Sequence, residues 1–170
     1  MRSICISFFC VLSFSVFSQN NNDLPERKGF TLIIPVDKTH EYADSIKPTP
    51  YIVHADIIQI YPGESVNVEI ELTDTGIKSM KTVSEIKYPD KTISISLRQL
   101  AEQHVHKSMM LEINNPFKKD LTYAVRMFLM RSKAWVDTDV LPVKAGLAAY
   151  ESWPDVIVSM ALYDWKFKDN

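Results

Sequence analysis

Residues 56–72, DIIQIYPGESVNVEIEL, decide the fold of this chain. Ile58 and Ile60 share one side of an extended backbone, and Tyr61-Pro62-Gly63-Glu64 follows as a turn. Proline at the first central position and glycine at the second is type II chemistry, because the second central residue needs a positive φ. Beyond the turn, Val66, Val68, Ile70 and Leu72 alternate with Asn67, Glu69 and Glu71. Side chains of a strand alternate between faces, so this period of two buries the aliphatics and leaves the carboxylates in water. Burial of each such side chain stabilises by about 1.5–3 kcal/mol before entropy is subtracted. A one-residue slip would expose all four, so the register is strongly specified.

The same period recurs along the chain. Ile93, Ile95 and Leu97 alternate with Ser94, Ser96 and Arg98. Met109, Leu111 and Ile113 repeat it, and Leu121, Tyr123, Val125, Met127 and Leu129 follow. Residues 140–149 and 156–167 close the series. Turn signals separate these segments at Asp74-Thr75-Gly76, Tyr88-Pro89-Asp90, Asn114-Asn115-Pro116 and Trp153-Pro154-Asp155. Residues 30–36 are strand-like, with Pro35 pushing them to an edge. Residues 40–51, with Pro48 and Pro50, read as a long loop of the kind that carries function. No window sustains a 3.6-residue period over three turns. The best helical candidate is LRQLAEQH, residues 97–104, which reads equally as the end of a strand. The expectation is an all-β fold, a two-sheet antiparallel sandwich, with a closed barrel as the second choice.

At the level of architecture this pattern resembles an immunoglobulin-like or fibronectin-like sandwich. The cysteine and core-tryptophan spacing of that family is absent, and shared architecture implies no function.

Residues 1–18 read as a secretory signal peptide. Met1-Arg2 is a short basic start, residues 4–17 are apolar apart from three serines, and Val16-Phe17-Ser18 suits signal peptidase before Gln19. The apolar run is shorter than the roughly 20 residues that cross a bilayer. Phe8 and Phe9 stand where a lipidation signal at Cys10 would want small residues. Residues 19–28 are polar and read as a flexible leader. Residues 29–170 form a single sandwich domain, and the part after Ser18 is long enough to bury about 68–70% of its unfolded surface.

Both cysteines, Cys5 and Cys10, lie in the signal. The processed chain therefore has no disulfide, thiolate metal site or cysteine nucleophile. That suits a bacterial envelope protein better than a eukaryotic secreted one. The net charge is −2 and becomes one unit more acidic without Arg2. Such a balance gives no electrostatic case for nucleic acid or an anionic membrane.

Catalytic motifs find little support. Asp74-Thr75-Gly76 is the aspartic-protease tripeptide, but Ile77 follows it and no supporting apolar-apolar-Gly element does. Asp and Gly are ordinary hairpin residues. There is no G-x-S-x-G and no phosphate loop among the four glycines. Glu69 and Glu71 share a strand face instead of opposing each other across a site.

Two binding constellations remain. His104 and His106 flank Val105, so on a strand both would point the same way, and His54 with His40, Met109 or Met110 could complete a copper site in an exported protein. The last third of the chain is rich in aromatics. Residues 121–130 carry Ala124, Phe128, Met130 and Arg126 on their second face, and residues 156–167 are apolar on both faces. Trp135, Tyr150, Trp153 and Trp165 then form a candidate partner-binding surface. The bland reading is that these are central strands, or that a bulge near Asp164 switches the phase. The leading expectation is an exported, periplasmic or secreted, non-enzymatic binding module for a protein or glycan partner, without a cofactor. The alternative is a periplasmic copper carrier using His104, His106 and His54.

Overall fold

The structure is a computed structural model that describes residues 26–168. The expected signal peptide and most of the leader lie outside the described residues. The fold is an all-β sandwich of two five-stranded antiparallel sheets packed face to face.

The strands in chain order are β1 (Glu26–Arg27), β2 (Phe30–Pro35), β3 (Glu41–Ile46), β4 (Thr49–Pro50), β5 (Ile52–His54), β6 (Ile57–Ile60) and β7 (Ser65–Thr73). They continue as β8 (Gly76–Val83), β9 (Thr92–Glu102), β10 (Val105–Asn114), β11 (Asp120–Leu129), β12 (Ala134–Thr138), β13 (Ala148–Trp153) and β14 (Ile157–Lys168). A 3₁₀ turn, Pro89–Lys91, precedes β9. The first sheet has the order β13-β10-β9-β7-β8 and the second β12-β11-β14-β6-β5. The pairs β1-β4 and β2-β3 stand as separate two-stranded ribbons.

The turn at residues 61–64 forms as its sequence requires. Gly63 has φ +92°, and the Glu64 N–H donates to the Tyr61 carbonyl at 3.1 Å. A type II turn does not match the twist of a hairpin. Here it hands the chain from the second sheet (β6) to the first (β7). Ile58, Ile60, Val66, Val68 and Ile70 are all buried between the sheets. Asp74-Thr75 is the loop of the β7–β8 hairpin, where Thr73 pairs with Gly76.

Three expectations need correction. The stretch 40–51 is not a loop, since it holds β3 and β4. Its strand character was hidden because β3 pairs only with β2 and exposes both faces over most of its length, so no apolar alternation marks it. Residues 97–104 carry no helix: β9 runs through Glu102, and pairing with β10 overrides the local helical spacing. Residues 26 and 27, expected in the leader, are part of the fold, because β1 pairs with β4 and Arg27 is buried. As expected of a strand carrying Pro35, β2 has a partner on one side only.

The phase switch near Asp164 is real. The β11–β14 register shifts between Thr122 and Ala124, and Asp164 has φ +55°. Before the bulge Met160 and Leu162 point inward; after it Trp165 does, stacked on Tyr123 with centroids 5.4 Å apart. Phe167 packs on Phe117 at 4.5 Å. The start of β14 is covered on both faces, Ile157–Met160 being buried in succession; beyond it the one extra residue brings Trp165 onto the core side.

Candidate functional site

The four aromatic residues expected to form one surface do not share one. Trp165 is 5% exposed, and its Nε1 donates to the Asp56 carbonyl at 2.9 Å; it is a core residue. Trp153 is half-buried and donates from Nε1 to Thr138 Oγ1 at 3.1 Å, tying the edge strand β13 of the first sheet to β12 of the second. Tyr150 is exposed on β13, its hydroxyl donating to Glu112 on β10. Trp135 is exposed on β12, the edge of the other sheet. The bulge and the sheet crossing from β13 to β14 scatter residues that lie close in sequence.

Trp135 nevertheless sits in a site. On the outer face of the second sheet it pairs across strands with Phe128, the ring centroids 5.5 Å apart and tilted by 57°. One register step along, Asp137 lies opposite Arg126, and Arg126 opposite Ala161. Arg126 Nε donates to Asp137 Oδ1 at 2.9 Å, and the Tyr163 hydroxyl reaches the same oxygen at 3.4 Å. These residues with Ile57 line a shallow groove of about 520 Å³. Both side chains of the ion pair stay largely in water, 47% and 70% exposed. Among the described residues the Nη atoms of Arg126 and the second oxygen of Asp137 have no protein partner, which leaves them for a ligand.

The residues that line this groove come from β6, β11, β12 and β14. The sequence marked Arg126 as the one charge on an otherwise apolar second face, and it marked Trp135. It carried no signal that Asp137 and Tyr163 would join them.

The histidines do not assemble a metal centre. His104 lies in the two-residue β9–β10 turn, with φ +49° at Gln103 and +68° at His104. It faces Glu41 on β3, Nε2 to Oε2 3.7 Å. His106 lies beyond the turn, and a bulge between His106 and Ser108 turns it off the phase of the rest of β10. Both its ring nitrogens have protein partners: Gln99 Nε2 at 2.9 Å from Nδ1, and the Pro154 carbonyl at 3.0 Å from Nε2. His54 ends β5 in the other sheet. Among the described residues, no three His, Cys, Asp or Glu side chains are placed to hold a metal ion.

Two polar clusters were missed from sequence. Arg27 is almost wholly buried; it bonds Glu64 through Nε at 2.6 Å and Nη2 at 3.0 Å, Thr49 Oγ1 at 2.8 Å and the Gln59 carbonyl at 2.7 Å. Its guanidinium carbon lies over the Tyr51 and Tyr61 rings, 4.7 and 4.8 Å from their centroids. Burial raises the Tyr51 pKa above its ordinary value, and the nearby Glu64 charge adds to this. Asn115 is fully buried, donating from Nδ2 to the carbonyls of Lys119 and Val143 and accepting from the Phe117 N–H. Neither residue stood out, because a buried polar residue is recognised by its partners and these are distant in sequence.

Compared with known protein families, curated proteins and solved structures, the chain shows no significant match to any. Among the described residues no helix is long and apolar enough to cross a membrane.

Proposed function

We propose that this chain is an exported, non-enzymatic β-sandwich that binds a glycan of the bacterial envelope or its surroundings on the outer face of the second sheet. The observation that carries this reading is the groove at Trp135, Arg126, Asp137 and Tyr163. A pyranose offers an apolar C–H face and a rim of hydroxyls. The exposed indole matches the first, since aromatic faces favour polarised C–H groups. The unspent guanidinium N–H groups and carboxylate oxygen match the second, donating to and accepting from neighbouring hydroxyls. The size of the groove favours a small ligand over a protein partner, which would need about 800 Å² from each side. The signal-like residues 1–18 motivate the export.

The test is capture of envelope material from the producing cells by immobilised protein, after treatment of that material with periodate or with protease. Periodate cleaves vicinal diols and should abolish capture; protease should leave it intact. The double variant Trp135→Ala/Arg126→Ala should capture nothing while remaining folded. Capture that survives periodate and is lost to protease would replace the glycan by a protein. Equal capture by wild type and double variant would remove the site.

A further inference from the structure

The histidines take no part in the binding face, yet His106 is held from three sides. The Pro35 carbonyl can only accept, so the Gln99 atom 2.6 Å from it is the amide nitrogen. That nitrogen also lies 2.9 Å from His106 Nδ1, so both its hydrogens are committed and Nδ1 must accept. The Pro154 carbonyl likewise only accepts, so the proton of the neutral ring sits on Nε2. The backbone N–H of His106 donates to the Val36 carbonyl at 3.2 Å. Through its backbone N–H, its ring and Gln99, His106 thereby links β10, the end of β2 and the connection from β13 to β14.

We propose that the Gln99–His106–Pro154 chain is an acid-released latch on the β2–β3 hairpin. A proton added at Nδ1 points an N–H at an N–H. The amide of Gln99 cannot relieve this by turning over, because its oxygen would then face the Pro35 oxygen. Protonation therefore costs the Gln99–His106 hydrogen bond, between β9 and β10, and pushes away the nitrogen that also holds the Pro35 carbonyl of β2, while the bond to Pro154 persists. The hairpin has no ladder to either large sheet that would hold it independently. Its release uncovers Leu32 and Ile34, both buried at the closed junction.

The titratable and charged groups of the segments that meet here are Asp37, Lys38, His40 and Glu41 on the hairpin side, Glu102, His104 and Lys107 at the β9–β10 tip, and Asp155 beside Pro154. Among the described residues none of them forms an ion pair with His106. His40 pairs with Asp37 at 2.9 Å, His104 with Glu41 at 3.7 Å and Lys107 with Glu102 at 3.6 Å. Protonation of His40 and His104 would tighten their own pairs and oppose the latch. These pairs are exposed and worth little.

The experiment is amide hydrogen exchange, corrected for intrinsic rates, at about pH 7.5 and about pH 5, on either side of the ordinary histidine range near pH 6.5. Protection across residues 30–46 should fall about tenfold in acid, the effect of losing one or two hydrogen bonds. Protection in the core of β7 should stay constant. His106→Gln should abolish the pH dependence, whereas His104→Gln should deepen it. Equal wild-type protection at both pH values, or an undiminished fall in His106→Gln, overturns the latch. If His106→Gln does not fold, Gln99→Leu removes the opposing donor and must give the same loss of pH dependence.

Discussion

Two arginine–carboxylate pairs of the molecule have similar chemistry and opposite circumstance. Arg27–Glu64 is buried, bidentate, roofed by two tyrosine rings and supplied with further acceptors. Arg126–Asp137 is a single contact on an open sheet face beside an exposed tryptophan. The first has spent nearly all its hydrogen-bonding capacity on the protein itself. The second keeps most of it. Burial turns an ion pair into a fastener whose disruption leaves a stranded charge. Exposure makes it nearly irrelevant to stability and leaves it free for a ligand.

Arg27→Ala should show the largest effect, a loss of about 3–5 kcal/mol in denaturant unfolding, because it leaves Glu64 charged and unpaired beneath the β1–β4 ribbon. A loss below about 1 kcal/mol would place Arg27 with the surface pair and erase the contrast. The tryptophans sharpen the same comparison within one sheet. Trp165→Ala should cost about 3–5 kcal/mol as a core cavity. Trp135→Ala should cost about 1 kcal/mol or less and abolish envelope capture.

Arg126→Ala and Asp137→Ala should each change stability by no more than about 0.5 kcal/mol, yet weaken glycan capture about tenfold or more. A stability loss matching that of Arg27→Ala would make the pair structural. Tyr123→Phe should be neutral or slightly stabilising in thermal melts. The Tyr123 hydroxyl is buried with no hydrogen-bond partner among the described residues, and its burial pushes the phenol pKa well up. Removing an unsatisfied polar atom relieves a desolvation cost.

The smallest effect concerns acid. The Thr39 N–H, then His40, hold the Asp37 carboxyl far below the usual carboxylate range. A lowered folded-state pKa contributes stability that is present above the unfolded value near pH 4 and lost as pH falls further. Asp37→Asn should therefore loosen the turn after β2 at neutral pH. The difference from wild type should shrink steadily as pH falls below about 4, read by exchange of the His40 amide.

How much could be read in advance follows from where the information lay. The alternation in β7, β9, β10 and β11 required a half-buried antiparallel sheet, since any other register would put rows of aliphatics into water. The doubly apolar β14 offered two readings, a strand covered on both faces or a bulge near Asp164, and the structure uses both: Ile157–Met160 are buried in succession, and the phase shifts beyond them. The β2–β3 ribbon was legible only in part: Pro35 marked an edge strand, but β3 has no buried stripe. Trp135 and Arg126 were visible as exceptions to their surroundings.

Local periodicity and turn chemistry thus specified the class of fold, the positive φ at Gly63 and which face of each long strand is apolar. Those properties depend on neighbours a few residues apart. Tertiary structure alone decided that the turn at residues 61–64 changes sheets, that Trp165 is core while Trp135 is surface, and that Arg27 meets Glu64. It also decided that His104 and His106 diverge, because a left-handed turn and a bulge each break the alternation that would have aligned them. These outcomes rest on contacts between residues tens of positions apart, where each partner's chemistry is ordinary until the fold brings the two together.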